Sequence, residues 1–351
     1  MVSMRVLPAP VSEKSLRSTA LLLLALLAAC GGSTADLGEA DAGAGGAGGD
    51  PTPAEDRDGV FDFLVTSLNF YYPEPIAQSD EDVPNPCGLD GTTDNTIYRP
   101  LLFSDAIVNG FDLDGITSVD DAGLCGQADY LSPNGSTGVD YAFLGVIDLI
   151  RPIRPDQVAR GVLANAPSEG LINFGIRVSG VDSLENDDQI ELLVTDVSEV
   201  PLRGTDGRII ARASVPVEPN PDWQTTFSGR IVDGVLTAGP TDFNLGDIDL
   251  IIIEDKVLRL RDAMIRATFT ERADGVLELS STLSGWWPRD NMIDTIGGIV
   301  LAIGSNDGEL QCAASLWADG SSDGVDCDLV STIFEVDAVS GFLTGLDGGE
   351  N

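Results

Sequence analysis

Between residues 170 and 285 the chain repeats one pattern: short runs of β-branched or alternating apolar residues, each closed by a turn signal. The runs fall at 171–178, 189–197, 208–215, 224–232, 235–238, 242–253, 257–260, 264–270 and 276–283. Asp206-Gly207, Asp233-Gly234 and Asp274-Gly275 mark turns between them, because Asp and Gly tolerate the positive φ that tight hairpins need. Alternation with a period of two gives each strand one face for a core and one for water. Many short strands at regular spacing predict a mainly β chain, folded as an antiparallel β-sandwich or jelly roll. Residues 60–70 read as a first strand and 334–339 as a last. Apolar spacing predicts helices over 140–150, 156–166 (with Pro155 near its start), 291–304 and 308–318.

The N-terminus carries a different signal. Arg5, Lys14 and Arg17 precede an apolar run that begins at Leu21 and ends at Cys30. That run, about ten residues long, is too short to cross a hydrocarbon core of roughly 30 Å. Its end, Leu27-Ala28-Ala29-Cys30, closely resembles the lipobox of bacterial lipoproteins. The resemblance implies that residues 1–29 are a signal peptide and that Cys30 is acylated. Gly31 then stands where enteric-type lipoproteins retained at the inner membrane have aspartate, so the expected location is the outer membrane or cell surface. Residues 30–58, rich in Gly and Ala, lack apolar periodicity and are expected to be a tether. Residues 59–345 remain for a single β-rich domain: a loop-rich part over 59–168, then the sandwich and C-terminal helices over 169–345.

Composition narrows the chemistry. The chain has no histidine, which removes Ser-His-Asp triads, Cys-His dyads and histidine zinc sites. Its 57 acidic and 19 basic side chains leave a net charge of −38, which repels nucleic acid and favours cations. Beyond Cys30 there are four cysteines, an even number suited to disulfides in an oxidising compartment. The simplest pairing is local, Cys87 with Cys125 and Cys312 with Cys327. An enzyme without histidine would need a pair of carboxylates, as in glycoside hydrolysis, but no strand motif selects a pair among so many acids. Trp223, Trp286 and Trp287 are either packing residues or a platform for stacking sugars.

Two acidic clusters are candidate calcium sites. In the first, Asp112 and Asp114 flank Leu113 before Gly115, and Asp120, Asp121, Asp129, Asn134 and Asp140 follow. Calcium takes six to eight oxygens, which alternate aspartates around a glycine turn can supply. The second runs from Asp319 through Ser321, Asp323, Gly324 and Asp326 to Asp328. It matches an EF-hand loop at the first, third, fifth and sixth positions but has Val330 where the bidentate glutamate belongs. The two clusters give a disulfide-braced acidic loop region, with Ca²⁺ as the expected ion.

Gly110-Phe-Asp-Leu-Asp-Gly115, Ser132-Pro-Asn-Gly135, Gly138-Val-Asp140 and the terminal Asp-Gly-Val-Asp-Cys-Asp-Leu-Val-Ser segment resemble a pattern in an uncharacterised family of secreted lipoproteins of predatory and soil bacteria. Many of those proteins continue Val-Asp-Asn; here Tyr141 takes the place of Asn. The resemblance implies the lipoprotein class and attaches no activity. The expected protein is therefore an envelope-anchored lipoprotein with a calcium-braced β-sandwich, in a binding, adhesion or structural role. Its partners are the membrane, through the lipid, and carbohydrate or protein at the cell surface. A carboxylate-pair glycoside hydrolase or carbohydrate-binding module is the alternative.

Overall fold

Eight long strands carry the fold in a computed structural model that describes residues 59–73, 77–78, 83–87, 97–98, 101–102, 106–117, 125–149, 164, 166–250, 253–302 and 307–346. They are β1 (Phe61–Phe70), β2 (Phe174–Ser179), β3 (Asp187–Asp196), β4 (Gln224–Val232), β5 (Val235–Leu250), β6 (Ile253–Glu271), β7 (Leu277–Pro288) and β8 (Leu329–Ser340). Each pairs antiparallel with its neighbours in sequence, and β8 pairs with β1, so the sheet closes into an up-and-down barrel. The leader, Cys30, the tether, Asp120 and Asp121, and nearly all of the helix expected over 156–166 lie outside the described residues.

The expectation of a sandwich or jelly roll is therefore corrected. A sandwich needs chains that cross between two sheets, whereas here consecutive hairpins run around one sheet until its edges meet. Two runs read separately, 235–238 and 242–253, contribute to the single strand β5, which takes the second as far as Leu250; 257–260 and 264–270 likewise belong to β6. Register shifts between Ala238 and Thr241 and between Arg261 and Met264 interrupt the alternation, which is why the sequence looks broken there. The run over 208–215 is no barrel strand. Its end, Ser214–Pro216, pairs with Phe342–Thr344 on the outside of the wall, and Ile209 bridges Arg203 in a local hairpin.

Eight strands leave room inside for side chains and little else. Phe63, Ile176, Leu192, Phe227, Phe243, Leu260, Leu283 and Phe334 are buried in that core. Outward positions that reach solvent include the polar Glu191, Ser280 and Asp337. This arrangement is the reverse of a lipid-facing barrel, whose apolar band points outward. Among the described residues no helix is long and apolar enough to cross a membrane.

Helix α1 (Phe143–Leu149) is buried throughout. Its Phe143 ring lies 4.6 Å from that of Phe70 and 5.6 Å from that of Trp287, centroid to centroid. Because Phe70 ends β1 and Trp287 ends β7, α1 stoppers that mouth of the barrel. Three further helices follow: α2 (Ala166–Glu169), and α3 (Arg289–Ala302) and α4 (Asp307–Leu316) between β7 and β8. On the outer wall, Asp62 and Arg177 form a buried ion pair at 2.7 Å, and both also bond the backbone of Leu343. The C-terminal strand is thereby fastened over β1 and β2, above a second apolar cluster that includes Leu64, Val215, Val339 and Leu343.

The cysteines pair across the molecule, Cys87 with Cys312 and Cys125 with Cys327, over separations of 225 and 202 residues. The local pairing is corrected because the segments carrying Cys87 and Cys125 dock on the β7–β8 connection. The Asn85 amide donates to the carbonyl of Leu149 at the end of α1, which packs on α4, and the Gln127 amide donates to the carbonyl of Leu316 at the end of α4. Closing one loop of this length removes about 5 kcal/mol of denatured-state entropy in the chain-entropy model.

Two outcomes are expected. Peptide mapping without reduction yields Cys87–Cys312 and Cys125–Cys327 peptides and no Cys87–Cys125 peptide. Trp287→Ala, which empties the ring contact between α1 and the barrel, lowers unfolding free energy by about 3–5 kcal/mol in urea titration.

Candidate functional site

On the outer wall beside the stoppered mouth, loops from both halves of the sequence surround a cleft of about 290 Å³. Its lining includes Asp114, Asp129, Asp140, Asp262, Trp286 and Asp319. The 109–111 segment reaches the wall through Arg266 of β6. Its guanidinium stands 4.4 Å from the Phe111 ring centroid and donates to Asn109 Oδ1 and the Gly110 carbonyl. Asn109 also donates to Thr282 on β7. Gly110 is confined because a Cβ there would stand 2.5 Å from Ile333 Cδ1.

The carboxylates of Asp112, Asp114 and Asp140 lie with one oxygen each within 4.8 Å of the others, the only such acidic group among the described residues. Local hydrogen bonds set each one. Asp112 Oδ1 accepts from the Gly115 amide and Asp114 Oδ1 from the Ile116 amide, both at 2.7 Å. Asp140 Oδ2 accepts from the Leu113 amide at 2.6 Å, while the Asp140 amide donates to the Phe111 carbonyl. Asp140 is buried, whereas Asp112 and Asp114 are exposed. Gly138, at φ +97°, passes so close that a Cβ would stand 3.1 Å from Asp112 Oδ2.

The second cluster divides. Asp319 turns inward, accepting from the amide of Ser331 and from its hydroxyl, and so joins the cleft. Asp323 turns back on its own loop, where its Oδ1 accepts from the Val325 and Asp326 amides. Those amides, Asp326 before Val325, hold the Asp323 carboxyl below the usual range. Ser321 Oγ accepts from the Gly324 amide, and Asp328 accepts from the amide and hydroxyl of Ser322. Asp319, Ser321, Asp323 and Asp326 are therefore not gathered around one point. The asparagine of the first cluster, Asn134, bonds Ser132 and Ser136 in its own turn.

Electrostatics favours protonation at the cleft. Burial, and then the charges of Asp319, Asp114 and Asp129, push Asp140 up to about 8 from an ordinary 3.8. Burial is also the main cause for Asp319, raised to about 7 against the hydrogen bonds from Ser331. Asp114 rises too, through desolvation and its neighbour Asp112.

Two of the three tryptophans, Trp286 and Trp287, are buried, and Trp223 is half-buried. Trp287 is 1 % exposed inside the barrel and bonds Asn291, whereas Trp286 is 6 % exposed with Gly320 laid against its ring. Trp223 packs on Gly246. Asp262 is a lining residue that no sequence motif marks. It sits at the β6 bulge with φ +49°, and the only trace of it in the sequence is the broken alternation between 257–260 and 264–270.

No family model, curated protein or solved structure matches this chain.

The folded chain keeps protons on Asp140 and Asp319 that the unfolded chain has lost above about pH 4. It binds more protons than the unfolded chain between pH 4 and about 8, so stability falls as pH rises through that window. In a chelator, the melting temperature is expected to drop from pH 5 to pH 8. Asp140→Asn should flatten that slope and raise stability at pH 8.

Proposed function

We propose that this chain is an envelope-anchored lipoprotein whose β-barrel carries a calcium-braced binding site at the acidic cleft. The observation that carries the reading is the convergence of Asp112, Asp114 and Asp140. Each uses one oxygen on a backbone amide and has a second for a ligand, a hard-oxygen donor set suited to Ca²⁺. Cation binding would relieve the repulsion that raises Asp140 and Asp114. Its structural effect would be to lock the 109–116 loop to the residue that opens onto α1, bracing the stoppered mouth.

Long-range disulfides fit an oxidising compartment, and the lipobox at Cys30 fits outer-membrane or cell-surface anchoring. The partner at the cleft is a cell-surface protein or carbohydrate, with the cation as part of the recognition surface.

The hydrolase alternative is less well supported. Carboxylate catalysis needs environments that push two pKa values apart, leaving one acid and one base. Burial raises Asp140 and Asp319 alike, so this pair does not divide into one acid and one base.

Millimolar Ca²⁺ is expected to raise the melting temperature well beyond NaCl of equal ionic strength. The gain is about 2.7 kcal/mol at a hundredfold excess over Kd. Asp114→Asn and Asp140→Asn should each remove most of it. Asp323→Asn, whose carboxylate serves its own turn, should leave it intact. Equal responses to the two salts would refute the calcium reading. For anchoring, Cys30→Ser should release the protein from membranes into the soluble fraction, since acyl chains contribute about 0.8 kcal/mol per buried CH₂. A Ser variant that stays with membranes after high-salt washing would overturn the lipobox assignment.

A further inference from the structure

The connection between β3 and β4 makes an excursion over the outer wall, and its middle is a small hairpin. Arg203 bridges Ile209, the Gly204 amide donates to the Arg208 carbonyl, and the Ile210 amide donates to the Leu202 carbonyl. One face of this hairpin is fixed. Pro201 and Ile209 are buried, Ile209 in the apolar cluster over β1 and β8. The other face holds Val200, Leu202 and Ile210 at 48 %, 68 % and 45 % exposure, three of the nine exposed large aliphatic side chains among the described residues. Such a concentration on one short hairpin is unlike the scattered exposed aliphatics of an ordinary surface.

The charge of the same hairpin is also out of character. The chain as a whole has three acids for each base. Over 198–212, Arg203, Arg208 and Arg212 outnumber Glu199 and Asp206. Arg203 and Arg208 are exposed and make no ion pair among the described residues. Arg212, at the base of the hairpin, donates its amide to the Ser340 carbonyl and its guanidinium to the Gly275 carbonyl. Ser340 is the register partner of Phe63, so Arg212 lies at the end of the barrel where the chain enters β1.

We propose that this hairpin docks on an anionic lipid surface, with Leu202 and Ile210 entering the headgroup region and the arginines pairing with lipid phosphates. Exposed aliphatics beside basic residues are the combination that binds such interfaces. A body of charge −38 is otherwise repelled by them. The hairpin therefore chooses which side of the barrel faces the bilayer and leaves the acidic cleft free for its ligand. The inference rests on the lipid-anchor reading, because the anchor supplies the high local concentration of membrane that a patch this small requires.

The test uses the acylated full mature chain reconstituted into vesicles. An environment-sensitive fluorophore is placed on the hairpin tip through Thr205→Cys, and on a remote exposed loop through Thr137→Cys. The tip probe should shift to the blue in vesicles of phosphatidylglycerol with phosphatidylcholine, while the remote probe stays unchanged. The paired change Arg203→Glu with Arg208→Glu should abolish the dependence on phosphatidylglycerol. Leu202→Asp with Ile210→Asp should abolish the shift altogether; all four side chains are exposed, so the barrel is expected to melt as in the parent. A tip probe that matches the remote probe overturns the proposal. So does a tip signal that follows the protein-to-lipid ratio, which would assign the face to a second copy of the chain. Failure of the chain to float with vesicles at all marks instead the failure of the anchor reading, and the docking proposal falls with it.

Discussion

Pairing between β1 and β8 joins the first and last strands of the barrel, with Phe63 opposite Ser340 and Phe70 opposite Phe334. Until that ladder forms, the sheet has two open edges with unpaired backbone groups and an apolar face without a lid. Once it forms, both edges vanish and the inward side chains become one core. The contacts involved lie more than 260 residues apart in the chain, so closure carries a large loop entropy. The Asp62–Arg177 pair, bonded to the Leu343 backbone, fastens the last strand beside the first after the turn at Gly341.

Closure also gives the rest of the chain a wall to fold against. The outer faces of β7 and β8 near the stoppered mouth are buried, with Ser284, Trp286 and Ser331 all covered. Their cover is the irregular segment before α1, held there by Arg266, by the Asn109–Thr282 bond and by the two long disulfides. Loops without apolar periodicity cannot hold a single conformation by burial alone. Here covalent links and hydrogen bonds to the wall replace that burial, and their meeting point is the acidic cleft.

The cleft gathers carboxylates that the loops bring from opposite ends of the sequence, and the cost appears as the raised protonation of Asp140 and Asp319. A protein with so many acids spreads them over solvent where it can. Asp323 and Asp328 do this by capping their own turn. Asp112 and Asp114 also cap their own turn, but they do so beside the buried Asp140, and that convergence is the physical reason for proposing a cation there. The basic, aliphatic hairpin over 198–212 is the opposite exception on the same surface, and its base lies at the end of the barrel where β1 begins, away from the mouth that α1 stoppers.

The sequence by itself determined that the chain is built of antiparallel strands, because period-two alternation and Asp-Gly turns are local properties of hairpins. Asp233 and Gly234, both at positive φ between Val232 and Val235, are one such turn. Spacing likewise marked α3 and α4, and the composition of the first cluster marked Asp112, Asp114 and Asp140 together. Only the tertiary structure decided that the sheet closes, since alternation is the same for a strand in a sandwich and in a barrel. Bulges hid β5 and β6 as four strands, because a one-residue shift reverses the face that each side chain occupies. Cysteine pairing and the division of the second cluster were equally out of reach. The pairing depends on loops more than 200 residues apart docking on one wall, and the division on Asp319 meeting Ser331 of β8 while Asp323 bonds its own turn; no local pattern encodes which segment a loop will meet.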